Sequence, residues 1–290
     1  MTSSTDPNQT MEATDDAALD AQPPTRYLEA DVVLLELSQA GAKRARTLSV
    51  GKILVLSMLA GAFITAGALV STLLVADVES TGIRRLIEGF GFSIGFFVVI
   101  MTGGLLFTEV NVEIPATMLS GRARDVRQLV FRLWLLAAAG NLAGAFLVGQ
   151  LINVAHEFSA TDLEALVETA EYKARFREIG GVEGWLRAVV SGVLGNWLVG
   201  MAAFLSVMGR TIIDRYVPVF LVVVAFVASG FLHSPANMGF YALLGPTGAG
   251  PGWSTGLWWA ILPAATGNVL GGALLVALPF WYAGTRRPTS

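Results

Sequence analysis

Long apolar runs alternate with short clusters of charged residues along most of this chain. Asp, Glu, Lys and Arg are absent from residues 53–76, 89–108, 133–156, 188–209 and 216–285. Because a helix needs about 20 apolar residues to cross the hydrocarbon core of a bilayer, the last run is long enough for two crossings. The pattern predicts six membrane spans, at roughly 52–77, 86–120, 129–155, 184–209, 216–245 and 253–283.

The composition supports the same class of protein. Hydrophobic residues make up 54% of the chain and charged residues only 14%, against about 25% charged residues in soluble domains. The sequence therefore indicates an all-α integral membrane protein and excludes a soluble globular domain. There is no cysteine, so disulfides are excluded.

The N-terminal segment differs from the rest of the chain. Residues 1 to about 25 are rich in polar residues, and we expect them to be disordered; they do not resemble a cleavable signal peptide. Residues 26–47 have helical character with a basic end, which indicates a surface helix leading into the first span or, alternatively, a regulatory or partner-docking helix. We therefore divide the chain into a cytoplasmic N-terminal segment, 1–47, and a six-helix transmembrane channel domain, 48–285.

The loop charges predict how the chain is oriented in the cell inner membrane. Twelve Lys and Arg residues flank the spans on the side of the termini, and six flank them on the other side. Since Lys and Arg accumulate in cytoplasmic loops, both termini should face the cytoplasm. On the outer side, apolar residues at helical spacing in 157–183 predict an amphipathic helix lying across the surface, with a cap over a pore entrance as the alternative.

The chain contains an internal repeat. The motif Gly-Asn-Leu-Ala-Gly at 140–144 recurs as Gly-Asn-Val-Leu-Gly at 267–271, an offset of 127 residues, and the same offset carries 102–106 onto 229–233. Each half holds three spans, so the halves must insert with opposite topology. We expect six transmembrane helices in an inverted 3+3 repeat with one broken helix in each half.

The two breaks are expected near mid-membrane, at Thr102-Gly103-Gly104 and at Ser234-Pro235. Irregular backbone survives at that depth only where protein or a polar cavity satisfies its hydrogen bonds. Each break leaves a half-helix whose N-terminus carries a partial positive charge. Two such ends near the bilayer centre would attract anions.

A few polar side chains in these apolar segments are candidates for function. His233 is the one acid or base in the 70-residue charge-free stretch 216–285, and an ionisable residue inside a membrane is a functional candidate by default. Four amides near the breaks are expected to hold helices together, and some of them to support the breaks: Asn141, Asn196, Asn237 and Asn268.

Two further pairs can be assigned from spacing. Phe92 and Phe96 lie at i and i+4 on one helix face, which allows them to line a pore. Glu109 and Glu113 are expected on a solvated face where the second span leaves the membrane.

Five motifs in this order and spacing resemble the formate/nitrite transporter family over residues 50–283. They are Gly-Phe-Ser-Ile-Gly-Phe at 91–96, Leu-Phe-Thr at 106–108, Gly-Asn-Trp-Leu-Val-Gly-Met-Ala at 195–202, Phe-Leu-His-Ser-Pro-Ala-Asn-Met at 231–238 and Gly-Asn-Val-Leu-Gly-Gly at 267–272. The resemblance implies an aquaporin-like protomer, a homopentamer, one pore through each protomer and a mobile loop at the break of the second span.

By position, the resemblance also implies roles for single residues. Phe92 and Phe226 would form one apolar constriction, and Phe96, Leu106 and Phe107 the other. His233 would be the central histidine with Thr108 beside it, and Asn196 and Asn268 would line or support the pore. The family often places a Lys just before the fourth span, where this chain has Gly180-Gly181; Arg187 is the candidate substitute.

Two functions fit these features. The first is a channel or transporter for small monovalent anions such as formate, nitrite or related weak-acid anions, with transport coupled to protons through His233. The alternative is an aquaporin-like channel for small neutral solutes, although the chain has no Asn-Pro-Ala motif. Because no metal-ligand cluster and no nucleophile–base pair can be identified, we expect no enzyme activity, cofactor, metal or nucleic-acid partner.

Overall fold

The structure is a computed structural model that describes residues 27–121 and 130–284, almost all of them helical. The expected disorder of residues 1 to about 25 therefore falls outside the described residues. The helices are α1 Ala30–Thr47, α2 Val50–Val75, α3 Thr81–Thr102, α4 Phe107–Leu119, α5 Leu136–Ala155 with a preceding π-helical turn Val130–Leu135, α6 Ala160–Lys173, α7 Gly181–Met208, α8 Ile212–Ala228, α9 Ser234–Leu244 and α10 Trp253–Gly284.

Six crossings can be traced through these helices, as the sequence predicts. Helices α2, α3, α5 with part of its π turn, α7 and α10 are each long and apolar enough to cross a membrane. Helix α4 continues the crossing that α3 begins. Helices α8 and α9, of 17 and 11 residues, together make the sixth crossing. The fold is an all-α membrane protein with one broken crossing in each half, and the division at residues 47 and 48 stays a prediction.

Glycine allows the long helices of each half to approach closely. A Cβ at Gly61 or Gly144 would collide with backbone carbonyls of the facing helix in the pair α2 and α5. In the second half, a Cβ at Gly267 or Gly271 would collide with carbonyls of α7. The repeated glycines are thus helix contacts, because only a residue without a side chain fits there.

Two peripheral helices cover the ends of the bundle. Helix α1 packs against α4 and α7, and the N–H of Leu28 donates to the carbonyl of Met208 at 3.0 Å. Helix α6 packs against α9, with Leu166 and Ala170 fully buried. We call the side that carries α1 the terminal face and the side that carries α6 the opposite face.

Candidate functional site

Both broken crossings turn at a glycine in the left-handed region. The φ angles are 69° at Gly103 and 68° at Gly230, positions that the 127-residue offset of the repeat relates. Only glycine adopts this conformation without steric cost. After a short extended segment, each chain enters a half-helix, α4 or α9, whose N-terminus lies inside the bundle.

Asn141 satisfies the backbone at the first break. Its Oδ1 accepts the N–H of Phe107 at 2.8 Å, and its Nδ2 donates to the carbonyls of Ser57 and Leu105 at 2.8 and 3.0 Å. Without this side chain, the backbone groups freed by the break would be buried with no partner.

Asn268 does the same at the second break. Its Oδ1 accepts both the N–H and the hydroxyl of Ser234 at 2.9 Å, and its Nδ2 donates to the carbonyls of Gly192 and Leu232 at 2.8 and 3.2 Å. These bonds agree with the expectation that some of the amides support the breaks. Asn237 instead donates to the carbonyl of Ala260 at 2.8 Å.

The two half-helix N-termini meet at a hydrogen bond between Thr108 and His233. The Oγ1 of Thr108 lies 2.9 Å from the Nε2 of His233, and the two residues are 0% and 1% exposed. The Nδ1 of His233 accepts the N–H of Ala236 at 3.2 Å and so caps α9. Since Nδ1 is an acceptor, the proton lies on Nε2, which donates to Thr108, and the imidazole in this arrangement is neutral.

Asn196 connects this meeting point to the second half. Its Nδ2 donates to the carbonyls of Thr108 and Asn268 at 3.3 and 2.6 Å. Its Oδ1 is buried and has no hydrogen-bond partner among residues 27–121 and 130–284. The structure therefore brings Asn196, Thr108, His233 and Asn268 into one polar network at the centre of the bundle.

Aromatic side chains surround His233 on the side of the opposite face. The ring centroids of Phe226 and Phe92 lie 5.5 and 6.5 Å from that of His233, and Phe240 stacks on Phe92 at 6.4 Å. These side chains enclose a pocket of about 10 Å³, which is roughly the space for one water molecule. Sequence reasoning missed Phe240, although it lies seven residues after His233 and therefore on the same helix face.

The second set of apolar residues is only partly brought together. Phe96 and Leu106 are fully buried in the same apolar cluster as Phe92. Phe107 packs in a different cluster, with Ile53 and Leu133. A constriction made by Phe96, Leu106 and Phe107 stays a prediction.

Lys173, a residue that the sequence analysis did not single out, reaches the aromatic pocket from the end of α6. Its Nζ lies 5.4 Å from the centre of the Phe240 ring and 4.0 Å from the Glu88 carboxylate. Burial lowers the pKa of Lys173, and the Glu88 carboxylate opposes part of this change. Arg187, the proposed substitute for a missing Lys, is instead exposed and paired with Glu183 at 2.8 Å.

The path of the chain explains why Lys173 reaches this pocket. The connection after α5 folds back over α9, so a residue that precedes the fourth span by eight positions reaches the pocket beside His233. A helix that simply crossed the outer surface would have left Lys173 in water.

Glu109 and Glu113 are also placed differently from the expectation of a solvated face. They are only 8% and 5% exposed because α1 covers this end of α4. Arg44 of α1 pairs with Glu113 at 2.6 Å. Both carboxyl groups line a cavity of about 370 Å³ on the terminal face.

Comparisons with known proteins agree with this architecture. The family profile described as formate/nitrite transporter matches residues 31–282. A probable formate transporter from Methanothermobacter thermautotrophicus is 33% identical over 80% of this chain and 88% of its own length. The formate channel FocA of Escherichia coli K12 is 31% identical over 75% of this chain and 83% of its own length.

Solved structures have the same fold. One, described as an FNT family ion channel, superimposes with a TM-score of 0.72 at 24% identity and covers 87% of this chain and 98% of its own. A pentameric formate channel with formate bound gives a TM-score of 0.66 at 22% identity and covers 82% of this chain and 98% of its own. At these identities the likeness concerns the fold alone.

Proposed function

The chain belongs to the formate/nitrite transporter family, and on that basis we propose that it conducts small monovalent anions through a pore within each protomer. The family profile and the named relatives are described as transporters or channels, and the described helices fit a multi-pass membrane protein. The pore would run from the terminal-face cavity past Thr108 and His233 to the aromatic pocket.

The observation that carries this proposal is the meeting of two half-helix N-termini at Thr108 and His233. Each N-terminus carries a partial positive charge of about half an elementary unit, and the two lie within 2.9 Å through their side chains. Lys173 adds an ammonium group beside the adjoining pocket, where the Glu88 carboxylate at 4.0 Å offsets part of its charge. A buried site with this sign of potential favours an anion and disfavours a cation.

The aromatic pocket supports a small substrate. It holds about 10 Å³ between Phe92, Phe226 and Phe240, so a passing anion would have to displace these rings and shed its water. Removing a charge from water costs several kcal/mol unless donors compensate. The Nε2–H of His233 and the hydroxyl of Thr108 are the donors that a monovalent anion would meet.

We further propose that transport is linked to protons. In this arrangement His233 is neutral, because its Nδ1 accepts the N–H of Ala236. A second proton would require that bond to break. An anion arriving beside Nε2 would stabilise the charged imidazole, so the anion and the proton would favour each other at this site.

Orientation and assembly are part of the proposal. The Lys and Arg distribution supports a cytoplasmic terminal face in the cell inner membrane. A homopentamer is supported by the likeness of the fold to a pentameric formate channel.

The test is an uptake panel in proteoliposomes: formate, nitrite, acetate, lactate, hydrosulfide, chloride, sulfate, glycerol and urea, at several pH values. We expect flux of the small monovalent anions and little of sulfate. Glycerol or urea flux without anion flux would instead support the neutral-solute channel.

The His233→Asn and His233→Phe variants sharpen this test. His233→Asn keeps hydrogen bonding but cannot titrate, so it should retain part of the flux and lose the part of the pH dependence that His233 contributes. His233→Phe removes the donor and should lose most of the flux, on the order of tenfold or more. Unchanged, still pH-dependent flux in a normally assembled His233→Asn protein would refute the role of His233.

A further inference from the structure

The terminal-face cavity ends at the break of the first broken crossing. Its volume is about 370 Å³, and its lining includes Ile100, Gly103 and Glu109. Glu109 directly follows Thr108, whose hydroxyl is 2.9 Å from His233. A solute that enters through this cavity therefore meets the Glu109 carboxyl before it reaches the centre of the bundle.

The Glu109 carboxyl has unused hydrogen-bonding capacity. The residue is 8% exposed, and its Oε1 has no hydrogen-bond partner in the part of the chain that the structure describes. An ionised carboxylate withdrawn from water is costly unless a partner compensates it. A protonated carboxyl avoids that cost and gains an O–H donor.

The nearest cation is already engaged. The Nη1 of Arg44 lies 2.6 Å from the Oε1 of Glu113. The Glu113 carboxylate raises the pKa of Arg44 against the opposing effect of burial, and Glu109 makes a smaller contribution in the same direction. No ion pair within 4.0 Å joins Glu109 to a base among the described residues. Two carboxyl groups thus share one guanidinium.

The other charged groups around α4 do not supply Glu109 with an ion-pair partner among the described residues. Glu36, Arg210 and Arg215 also line the cavity, and the Nε of Arg215 donates to the carbonyl of Gly209. Arg132, before α5, donates to the carbonyls of Ala45 and Leu48. Helix α10 carries no Asp, Glu, Lys, Arg or His, and α9 adds only His233 at its N-cap; their phenols are Tyr282 and Tyr241.

We propose that Glu109 is a second proton-binding residue of the pore, and that its protonated form admits an anion from the terminal-face cavity to Thr108 and His233. The proton comes from water in the cavity and returns to it. When ionised, Glu109 places a second negative charge beside the entrance and repels the anion; when protonated, it removes that charge and offers a donor. This inference rests on the proposed anion transport.

The experiment compares the wild type with Glu109→Gln, which has the shape and hydrogen-bonding capacity of the protonated acid but cannot ionise. Glu36→Gln is the matched control, because Glu36 lines the same cavity and is exposed. Formate flux is measured in proteoliposomes over a series of pH values. Carboxyl protonation is measured independently by infrared difference spectroscopy between acidic and alkaline pH.

In the wild type and in Glu36→Gln, we expect flux to fall with rising pH, by up to about tenfold per pH unit once the carboxyl ionises. Glu109→Gln should lack the part of this fall that Glu109 contributes, matching the wild type at acidic pH and exceeding it at alkaline pH. The infrared band of the buried carboxyl should disappear in Glu109→Gln and remain in Glu36→Gln.

A Glu109→Gln protein that keeps the wild-type pH profile, or one that keeps the carboxyl band, would overturn the proposal. If this variant does not assemble, Glu109→Asp replaces it: a shifted carboxyl band and a shifted pH midpoint would support the proposal, and unchanged values would refute it. Absence of anion flux in the wild type would refute the proposed function, whereas wild-type flux with an unaltered Glu109→Gln profile would refute only the role of Glu109.

Discussion

The two broken crossings have the same backbone frame but different chemical surroundings. Both turn at a left-handed glycine, Gly103 or Gly230, and both are held by an asparagine from the last long helix of their half, Asn141 or Asn268. In each, the asparagine accepts the N–H of the first residue of the half-helix and donates to a carbonyl of the preceding segment.

The surroundings of the two breaks differ. Gly103 is exposed and lines the terminal-face cavity. The carbonyl of Gly230 accepts a hydrogen bond from Arg175 at 3.0 Å, and the Tyr172 side chain occupies the space that a Cβ at Gly230 would need. The first break is therefore open toward water, while the second is covered by the connection that follows α5.

This difference shows that the internal repeat reproduces the backbone geometry of the breaks, whereas the functional side chains at each break differ between the two halves. The first half-helix carries Thr108, which is hydrogen-bonded to His233, and Glu109, which lines the terminal-face cavity. The second begins with His233, which caps its own helix. A pseudo-symmetric backbone can thus surround a pore whose two ends differ chemically, because only the residues that support the backbone must repeat.

Removing either asparagine should have the largest effect. Each buried group left without a partner costs about 1–3 kcal/mol, so Asn141→Ala and Asn268→Ala should each destabilise the protein by several kcal/mol. Asn268→Ala should be the more severe, since it also deprives the Ser234 hydroxyl of its acceptor. The measurement is thermal unfolding together with size-exclusion chromatography.

Thr266→Ala is the control for this pair of variants. Thr266 lies on the same helix as Asn268 and is exposed, and its hydroxyl donates to the carbonyl of Leu262 in that helix at 3.0 Å. Its loss should change stability by no more than about 0.5 kcal/mol. Equal stability of Asn268→Ala and Thr266→Ala would show that Asn268 does not stabilise the second break.

Replacing either turn glycine with alanine should lower stability by less than the loss of an asparagine. The size of the loss should differ between the open break and the covered break. The left-handed conformation costs a residue with a side chain about 1–2 kcal/mol, so both variants should be less stable than the wild type. At Gly103 the new Cβ meets open space, whereas at Gly230 it collides with the Tyr172 side chain. We therefore expect Gly230→Ala to unfold at a lower temperature than Gly103→Ala.

A double variant tests the cause of that difference. Tyr172→Phe removes the hydroxyl that a Cβ at Gly230 would meet first, and should recover part of the stability lost in Gly230→Ala while leaving Gly103→Ala unchanged. If Gly103→Ala proves as damaging as Gly230→Ala, the coverage of the second break does not matter.

The smallest expected effect concerns Lys173 on the covered side. Lys173→Met keeps the length of the side chain but removes its charge, and should lower anion flux by about threefold to tenfold because the pocket loses attraction for anions. Arg187→Met is the matched control, since Arg187 is exposed and paired with Glu183. A larger loss in Arg187→Met would restore the assignment made from sequence.

The lowered pKa of Lys173 adds a pH signature to the same pair of variants. Burial lowers this pKa in the folded protein, so the unfolded chain holds the proton more tightly. Between the lowered value and the ordinary Lys value, the free energy of unfolding should therefore gain a contribution that rises with pH. That rise should be present in Arg187→Met and absent from Lys173→Met.

The sequence by itself determined the crossings, the repeat and the approximate position of the breaks. At the second break, Ser234 and Pro235 begin the half-helix and the turn lies just before them, at Gly230. A charge-free run long enough to cross a bilayer has few possible structures, because every backbone N–H and C=O group in the hydrocarbon core must be hydrogen-bonded. The same requirement made asparagines near a break informative, and His233 was evident because it is the one acid or base among 70 residues.

Only the tertiary structure decided which charged residues are buried beside the path. Glu109 and Glu113 are at the end of a span, and sequence position alone suggests that they are in water; α1 buries them, and Arg44 pairs with Glu113. Lys173 lies in a connection and becomes part of the pocket because α6 folds back onto α9. Local spacing determines which face of one helix a residue occupies, but the burial of a charge depends on distant segments that pack over it, and those contacts leave no periodic pattern in the chain.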